Sequence, residues 1–459
     1  MNKYDLLIIG AGPGGYEAAF DAADAGMSVA LIEKDKLGGT CLNRGCIPTK
    51  ALMHSSDVYA ATKNGASVGV EVEGLTANRE AIGAHKDHVL ETLRTGIAAQ
   101  AKKKKIAVIE GSATIADDNL VSVVHSDGEK EELSAERILI ATGSHPWAPP
   151  IPGSDLPGVI NSTDLINMGG ADIPEFIIVG GGVIGIEFAT IYADLGSKVT
   201  VIEGLDRLLP MIDKEIGRSI KMTLSKKGVD CHTSAKVEKI EQDGDKLVVT
   251  FNEKDQPQTV SGDKVLLCVG RRPTVEGIFA SEFASKYDGL TDGRFIVVND
   301  KYQTVCPSVY AIGDCIGRIQ LAHTAVAEGR NAVSLMNGGK IVSDLSTVPS
   351  CIYTNPEIAV VGITVDEAKE QGLDIITKKF PMSANGKTII ADLDRGFIKL
   401  VARADDHVLV GAHLLCGRAT DLIGELALAI RNNLTLEDVA ETIHPHPTFC
   451  EAIFDTARS

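Results

Sequence analysis

Short apolar runs closed by glycine punctuate this chain, and two of them open matching units. Asp5-Leu6-Leu7-Ile8-Ile9 leads into the turn Gly10-Ala11-Gly12-Pro13-Gly14-Gly15, then a helical stretch, then Ser28-Val29-Ala30-Leu31-Ile32-Glu33. Phe176-Ile177-Ile178-Val179 leads in the same way into Gly180-Gly181-Gly182-Val183-Ile184-Gly185, a helix, and Lys198-Val199-Thr200-Val201-Ile202-Glu203. The interval from first glycine to terminal acid is the same in both, Gly10 to Glu33 and Gly180 to Glu203. Continuous apolar runs bounded by turns read as buried parallel strands, so each unit predicts a strand, a helix and a second strand. Ile138 to Gly143 and Val265 to Gly270 read as further buried strands ending in glycine, and Tyr310-Ala311-Ile312-Gly313-Asp314 as a strand closed by Gly-Asp.

The glycine spacing gives these units their chemistry. The first glycine allows the tight turn, the second lets backbone approach a pyrophosphate, and the third lets the helix pack on its strand. The helix N-terminus then faces the phosphates with its positive dipole end, and Glu33 and Glu203 are placed to accept ribose hydroxyls. Two bound dinucleotides are expected. An acid at 203, followed by Gly204 and Leu205 rather than arginines, favours NAD over NADP.

A Pro-rich piece, Pro146 to Pro157, reads as a domain crossing. From about Thr347 the pattern changes to that of a separate α+β domain with a His- and Pro-rich tail. The expected class is α/β, with two tandem Rossmann-like domains and a C-terminal α+β domain. The expected blocks are 1–148, 149–276, 277–345 and 346–459.

Composition narrows the partners. With 45 Lys and Arg against 62 Asp and Glu, the net charge of −17 repels nucleic acid and anionic lipid. The basic block Lys102 to Lys105 reads as a solvated helix end before the strand from Ile106. Glu187 interrupts the most apolar stretch, Phe176 to Ala193, before it reaches the roughly 18 uncharged residues of a membrane span. Asp5 leaves no room for a signal peptide, so the cytoplasm is expected. Seven of nine cysteines (Cys231, Cys268, Cys306, Cys315, Cys351, Cys416 and Cys450) lack metal-ligand spacing and read as packing residues, and no metal site is expected. Cys41 and Cys46 lie together in a glycine-rich segment, where a reducing compartment favours a catalytic pair.

That segment, Gly38-Gly39-Thr40-Cys41-Leu42-Asn43-Arg44-Gly45-Cys46-Ile47-Pro48-Thr49-Lys50, resembles the redox-active disulfide segment of the pyridine nucleotide-disulfide oxidoreductases. Pro48 suits the first turn of a helix whose dipole favours a thiolate at Cys46. The resemblance extends over essentially the whole chain. It implies a Cys41–Cys46 disulfide and FAD on the first fold, held by Gly10, Gly12, Gly14, Gly15, Glu33, Gly39, Thr40, Lys50, Gly111, Ala113, Thr142, Gly143, Ser144, Asp314, Leu321, Ala322 and His323. NAD on the second fold would meet Gly180, Gly182, Val183, Ile184, Gly185, Glu187, Glu203, Val237 and Gly270. Lys50 and Glu187 look like the family's ion pair beside the flavin. The tail His444-Pro445-His446-Pro447-Thr448-Phe449-Cys450-Glu451 resembles the family's catalytic ending, with His446 as base and Glu451 orienting it. His444 reads as support. The resemblance places this tail in the partner subunit's site, hence a homodimer.

Within the family, Leu321-Ala322-His323 with Glu328-Gly329, the histidines at 444 and 446, and Glu203 resemble the branch that oxidises dihydrolipoamide with NAD. That implies lipoyl domains of 2-oxo acid dehydrogenase complexes, or of the glycine cleavage system, as partners. The alternatives are a related disulfide or metal-ion reductase, and a docking component without catalysis. Arg44, Thr49, Phe449 and Cys450 depart from the usual pattern without removing a reacting group. His145 and Trp147 stand where an arginine is expected, and the sequence offers no reason.

Overall fold

A computed structural model describes residues 2–393 and 396–459, which fall into two compact units. The first takes the chain up to Pro48, Ala84–Trp147 and Gly270–Leu345. Asn2–Ile9 lies at the centre of its sheet, parallel to Val29–Glu33 on one side and Lys130–Ile140 on the other. Ala107–Glu110 extends the sheet beyond Val29–Glu33, and Val309–Ala311 pairs in parallel with Ile138–Ile140. The polar half of the long strand Lys130–Ile140 turns instead into an antiparallel meander with Leu120–Val124 and Ser112–Asp117. Leu6, Leu7 and Ile8 are fully buried, as strands covered on both faces must be. The helices Pro13–Asp24 and Ala322–Met336 pack on each other through glycine, since a Cβ on Gly329 would stand 2.9 Å from the Gly14 carbonyl.

The second unit takes Thr49–Gly83, Ala148–Val269 and Ser346–Ser459. Its parallel sheet runs in the order Asp230–Thr233, Lys198–Glu203, Glu175–Val179, Lys264–Leu267, Val159–Ile160. An antiparallel meander, Ala235–Asp243, Lys246–Glu253 and Gln256–Gly262, repeats the device of the first unit. The C-terminal part is an antiparallel sheet of five strands backed by the helices Ala419–Arg431 and Glu451–Arg458. Residues 49–83 belong here, a discontinuity that the expected blocks 1–148 and 149–276 do not contain. The reason is apolar: Leu52 and Met53 are buried in one core with Phe176, Phe188 and Tyr192. From the block 277–345, Val309–Ala311 joins the first sheet.

Candidate redox and dinucleotide sites

The two glycine turns separate structural glycines from ligand-facing ones. Gly10 has φ +103 and Gly180 φ +118, a region closed to most side chains. A Cβ on Gly15 would stand 1.9 Å from the Gly10 carbonyl oxygen, and one on Gly185 2.0 Å from that of Gly180. The middle glycines, Gly12 and Gly182, meet nothing within 4 Å. Each is the N-cap of a 12-residue helix, Pro13–Asp24 or Val183–Asp194, with no side-chain cap. Open space over uncapped N–H groups fits a dinucleotide pyrophosphate.

The terminal acids brace these turns. Glu33 accepts from the Ala11 N–H at 2.8 Å and the Asp35 N–H at 3.0 Å. Glu203 accepts from the Gly181 N–H at 2.6 Å and the Leu205 N–H at 2.7 Å. The sequence reading assigned both acids to ribose alone. In the structure each carboxylate also ties the second strand to the turn, and its remaining lone pairs can meet a ribose.

The redox segment is helical on both sides of Gly45. Gly39–Arg44 carries Cys41, and after Gly45 the helix Cys46–Lys63 begins at the second cysteine. Both cysteines are partly exposed. Gly39 has φ +57 and is pressed against Gly12, where a Cβ would come within 2.5 Å of the Gly12 Cα, and the Gly38 N–H donates to the Ala11 carbonyl at 2.8 Å. The first glycine turn therefore seats the cysteine-bearing helix directly. Asn43 ties it down by donating to the carbonyls of Leu37 and Gly39, both at 3.0 Å, and Arg44 pairs with Asp35.

Thr40 donates to the Ser144 carbonyl at 3.4 Å, and the Ser144 hydroxyl donates to Asp314. Arg271 closes this set, its Nε donating to Ser144 Oγ at 2.8 Å and its Nη2 to the Ser144 carbonyl at 2.7 Å. Burial pushes the Arg271 guanidinium below its ordinary value, and Asp314 opposes that shift. Sequence reasoning missed Arg271, although it directly follows the strand-closing Gly270. His145 and Trp147 gain an account here. Ser144–Pro146 pairs antiparallel with Arg271–Pro273, the Trp147 N–H donates to the Gly270 carbonyl at 3.1 Å, and Arg272 lies over the Trp147 ring at 4.3 Å.

Thr142 donates to the Thr274 carbonyl at 2.6 Å, and Gly143 has φ +68. Gly111 holds its N–H on the Glu33 carbonyl, and Ala113 follows on Ser112–Asp117. Leu321 is the N-cap of the helix that Ala322 and His323 begin. Val183 and Ile184 open the second glycine helix, and Val237 lies on the meander strand beside a register shift.

In the second unit, Lys50 and Glu187 form an ion pair at 2.8 Å. Glu187 is 3% exposed and also accepts the Tyr353 N–H at 3.0 Å, while the Lys50 ammonium lies 4.4 Å from the centre of the Tyr353 ring. Tyr353 escaped the sequence reading, because nothing local marks a residue whose backbone N–H meets a carboxylate 166 positions away. Burial pushes its phenol up to about 12.

His446 turns Nδ1 to Glu451 Oε1 at 2.8 Å, and its side chain is 79% exposed. Glu451 also accepts the Thr448 N–H at 2.9 Å. That N–H first, and the imidazole second, hold the carboxyl below its usual range, so Nδ1 donates and Nε2 is left to take a proton. His444 has a different place: 5% exposed, it meets Glu425 at 2.9 Å and the Thr442 carbonyl at 2.9 Å. Cys450 sits under Thr448, with Sγ and Oγ1 3.0 Å apart, and packs on the C-terminal core. Burial pushes the thiols of Cys231 and Cys351 up to about 11 and those of Cys268, Cys315 and Cys416 to about 12, which suits packing residues.

Two family models match the chain: pyridine nucleotide-disulphide oxidoreductase over residues 4–329, and its dimerisation domain over 348–457. A dihydrolipoyl dehydrogenase of Bacillus subtilis is 40% identical, over 99% of this chain and 97% of its own, and one of Geobacillus stearothermophilus is 37% identical, over 99% and 95%. Among solved structures, LpdA of Mycobacterium tuberculosis superposes with a TM-score of 0.90 at 26% identity, covering 100% of this chain and 99% of its own. The HOCl-induced flavoprotein disulfide reductase RclA of Escherichia coli, as its Cu(II) complex, gives 0.89 at 29% with the same coverage. Glycine turns, a paired-cysteine segment and a C-terminal dimerisation domain thus converge on one assignment, and the chain belongs to the pyridine nucleotide-disulphide oxidoreductases.

Proposed function

We propose that this chain is a dihydrolipoamide dehydrogenase, oxidising protein-bound dihydrolipoyl groups and reducing NAD+. The observation that carries this reading is the exposed His446–Glu451 pair, a base with its second ring nitrogen fixed, in a chain whose full-length relatives include dihydrolipoyl dehydrogenases. The blocks 1–148 with 277–345 bind FAD, 149–276 binds NAD, and 346–459 forms the dimer. Ile443, 94% exposed, and Leu428, 63% exposed, are apolar surface suited to a second copy. The lipoyl group arrives on a separate domain of a partner protein in the cytoplasm.

In this reading His446 of the partner subunit takes the proton of one substrate thiol. The resulting thiolate attacks Cys41 Sγ, breaking the Cys41–Cys46 bond and forming a mixed disulfide, with Cys46 leaving as a thiolate. The second substrate sulfur then attacks the first, closing the lipoyl ring and releasing Cys41. Two electrons now reside on the cysteine pair. FAD held on the first fold would supply the two-electron relay between this pair and NAD+. Lys50, held by Glu187 and the Tyr353 ring, supplies a fixed positive charge, and Glu203 orients the NAD ribose.

Replacing Cys46 by Ser should leave a yellow, FAD-loaded protein that no longer oxidises dihydrolipoamide. Full turnover in that variant would refute the cysteine assignment, and full turnover of His446→Gln would remove the base. Comparing NADH-dependent reduction of lipoamide with that of glutathione disulfide separates this reading from that of a general disulfide reductase.

A further inference from the structure

One cluster in the second unit takes no part in this chemistry. The helix Lys214–Lys226 carries Lys214, Arg218 and Lys221 at i, i+4 and i+7, so all three share a face. Together with Asp206, Arg207 and Thr233 they line an open cleft of about 340 Å³. Four cations against one carboxylate reverse the balance of a chain with net charge −17. Like charges one turn apart repel, so the stripe works against its own helix.

Neighbouring groups offset this only in part. Lys214 meets Asp366 at 2.9 Å, and Lys221 donates to the neutral Thr233 hydroxyl at 3.2 Å. Arg207 donates through Nη2 to the Pro210 carbonyl at 3.0 Å, but its Nε is buried without a hydrogen-bond partner among the described residues. A buried donor left unsatisfied is costly.

Position adds to charge. Thr233 ends the strand Asp230–Thr233, and Glu203 ends the neighbouring strand, so the cleft opens at the carboxyl edge where parallel α/β sheets take ligands. The segment bearing Arg207 is tied to the second glycine turn, because the Leu209 N–H donates to the Gly181 carbonyl at 2.9 Å.

We propose that this cleft binds a compact diphosphate, as inorganic pyrophosphate or as the diphosphate of a nucleotide, at a site distinct from the dinucleotide turn. Two guanidinium groups and two ammonium groups match two phosphoryl groups, the former through paired N–H donors and the latter as point charges.

The test is calorimetric titration of pyrophosphate into the FAD-loaded enzyme, with and without saturating NAD+, at about 50 mM salt and again at about 150 mM, with ADP in a second arm. Binding that weakens with salt is expected, and the double variant Arg218→Gln/Lys221→Gln should weaken it by about tenfold or more. Its NAD+ affinity should match the parent's and its melting temperature should be no lower, which rules out a folding defect. Tighter binding of ADP than of pyrophosphate identifies a nucleotide as the source, and equal binding identifies the free diphosphate. No binding to the parent, equal binding to the double variant, or binding abolished by NAD+ would each overturn the proposal, the last by placing the anion on the dinucleotide turn. None of these outcomes depends on lipoamide turnover.

Discussion

The two glycine folds carry a carboxylate at the same helical step, seven residues after their first glycine, yet those carboxylates live in different surroundings. Glu187 is buried, paired with Lys50 and bonded to the Tyr353 N–H. Glu17 is only partly buried, and burial together with Asp21 pushes its carboxyl up while Arg330 pulls it down. The first fold buries a different acid, Glu328, on the helix packed against its glycine helix. Its Oε2 accepts the Gly313 N–H at 2.7 Å and its Oε1 has no hydrogen-bond partner among the described residues. A repeated backbone thus fixes where a side chain starts, and the segments laid over it decide what that side chain does. Lys50 and Tyr353 come from outside the repeat.

The sharpest way to break the symmetry is at the glycines. Gly15→Ala and Gly185→Ala drive a methyl into a backbone carbonyl and should each cost more than about 3 kcal/mol by urea unfolding. Gly12→Ala and Gly182→Ala should keep the fold and lose FAD retention or NAD+ affinity respectively. Two stable, fully binding variants at 12 and 182 would contradict a ligand over those turns.

Glu328 comes next. Burial raises its pKa from 4.5 to about 7. The unfolded chain therefore releases this proton first as pH rises, so the contribution is complete below about 4.5 and is lost as pH climbs to and through about 7. Glu328→Gln should raise stability at pH 8 by up to about 3 kcal/mol and leave it unchanged near pH 4. A gain of equal size at both pH values would rule out the titration.

Smaller effects separate the matched acids. Glu187→Ala strands Lys50 and should cost about 2 kcal/mol, less than a fully buried pair because the lysine is partly exposed. Glu17→Ala should stay within about 0.5 kcal/mol. Last, Tyr353→Leu should cost about 0.5 to 1 kcal/mol through loss of the ring beneath the ammonium, with Tyr353→Phe nearly neutral. Equal losses in both Tyr353 variants would move the effect to the phenol.

What could be read from the sequence was whatever repeats or lies close along the chain. The glycine turns, the strands they close, and the pairing of His446 with Glu451 five residues on all have local signatures. Lys50 with Glu187 came only from resemblance, since 137 residues separate them. Arg271 and Tyr353 had no signature, because each acts through a contact created by packing. The same holds for Thr49–Gly83, whose apolar side chains look alike whichever core they enter. His145 and Trp147, opaque as residues, become ordinary once their strand is seen paired with Arg271–Pro273.

The crowding at Gly15 and the open space over the Gly12 Cα carry an evolutionary consequence. If a coenzyme covers those turns, a descendant that abandoned it would be released to vary at 12 and 182, while 10, 15, 180 and 185 stayed bound by sterics alone. Comparing substitution rates at those two sets of positions among divergent kin would reveal a lost coenzyme before any assay of the protein.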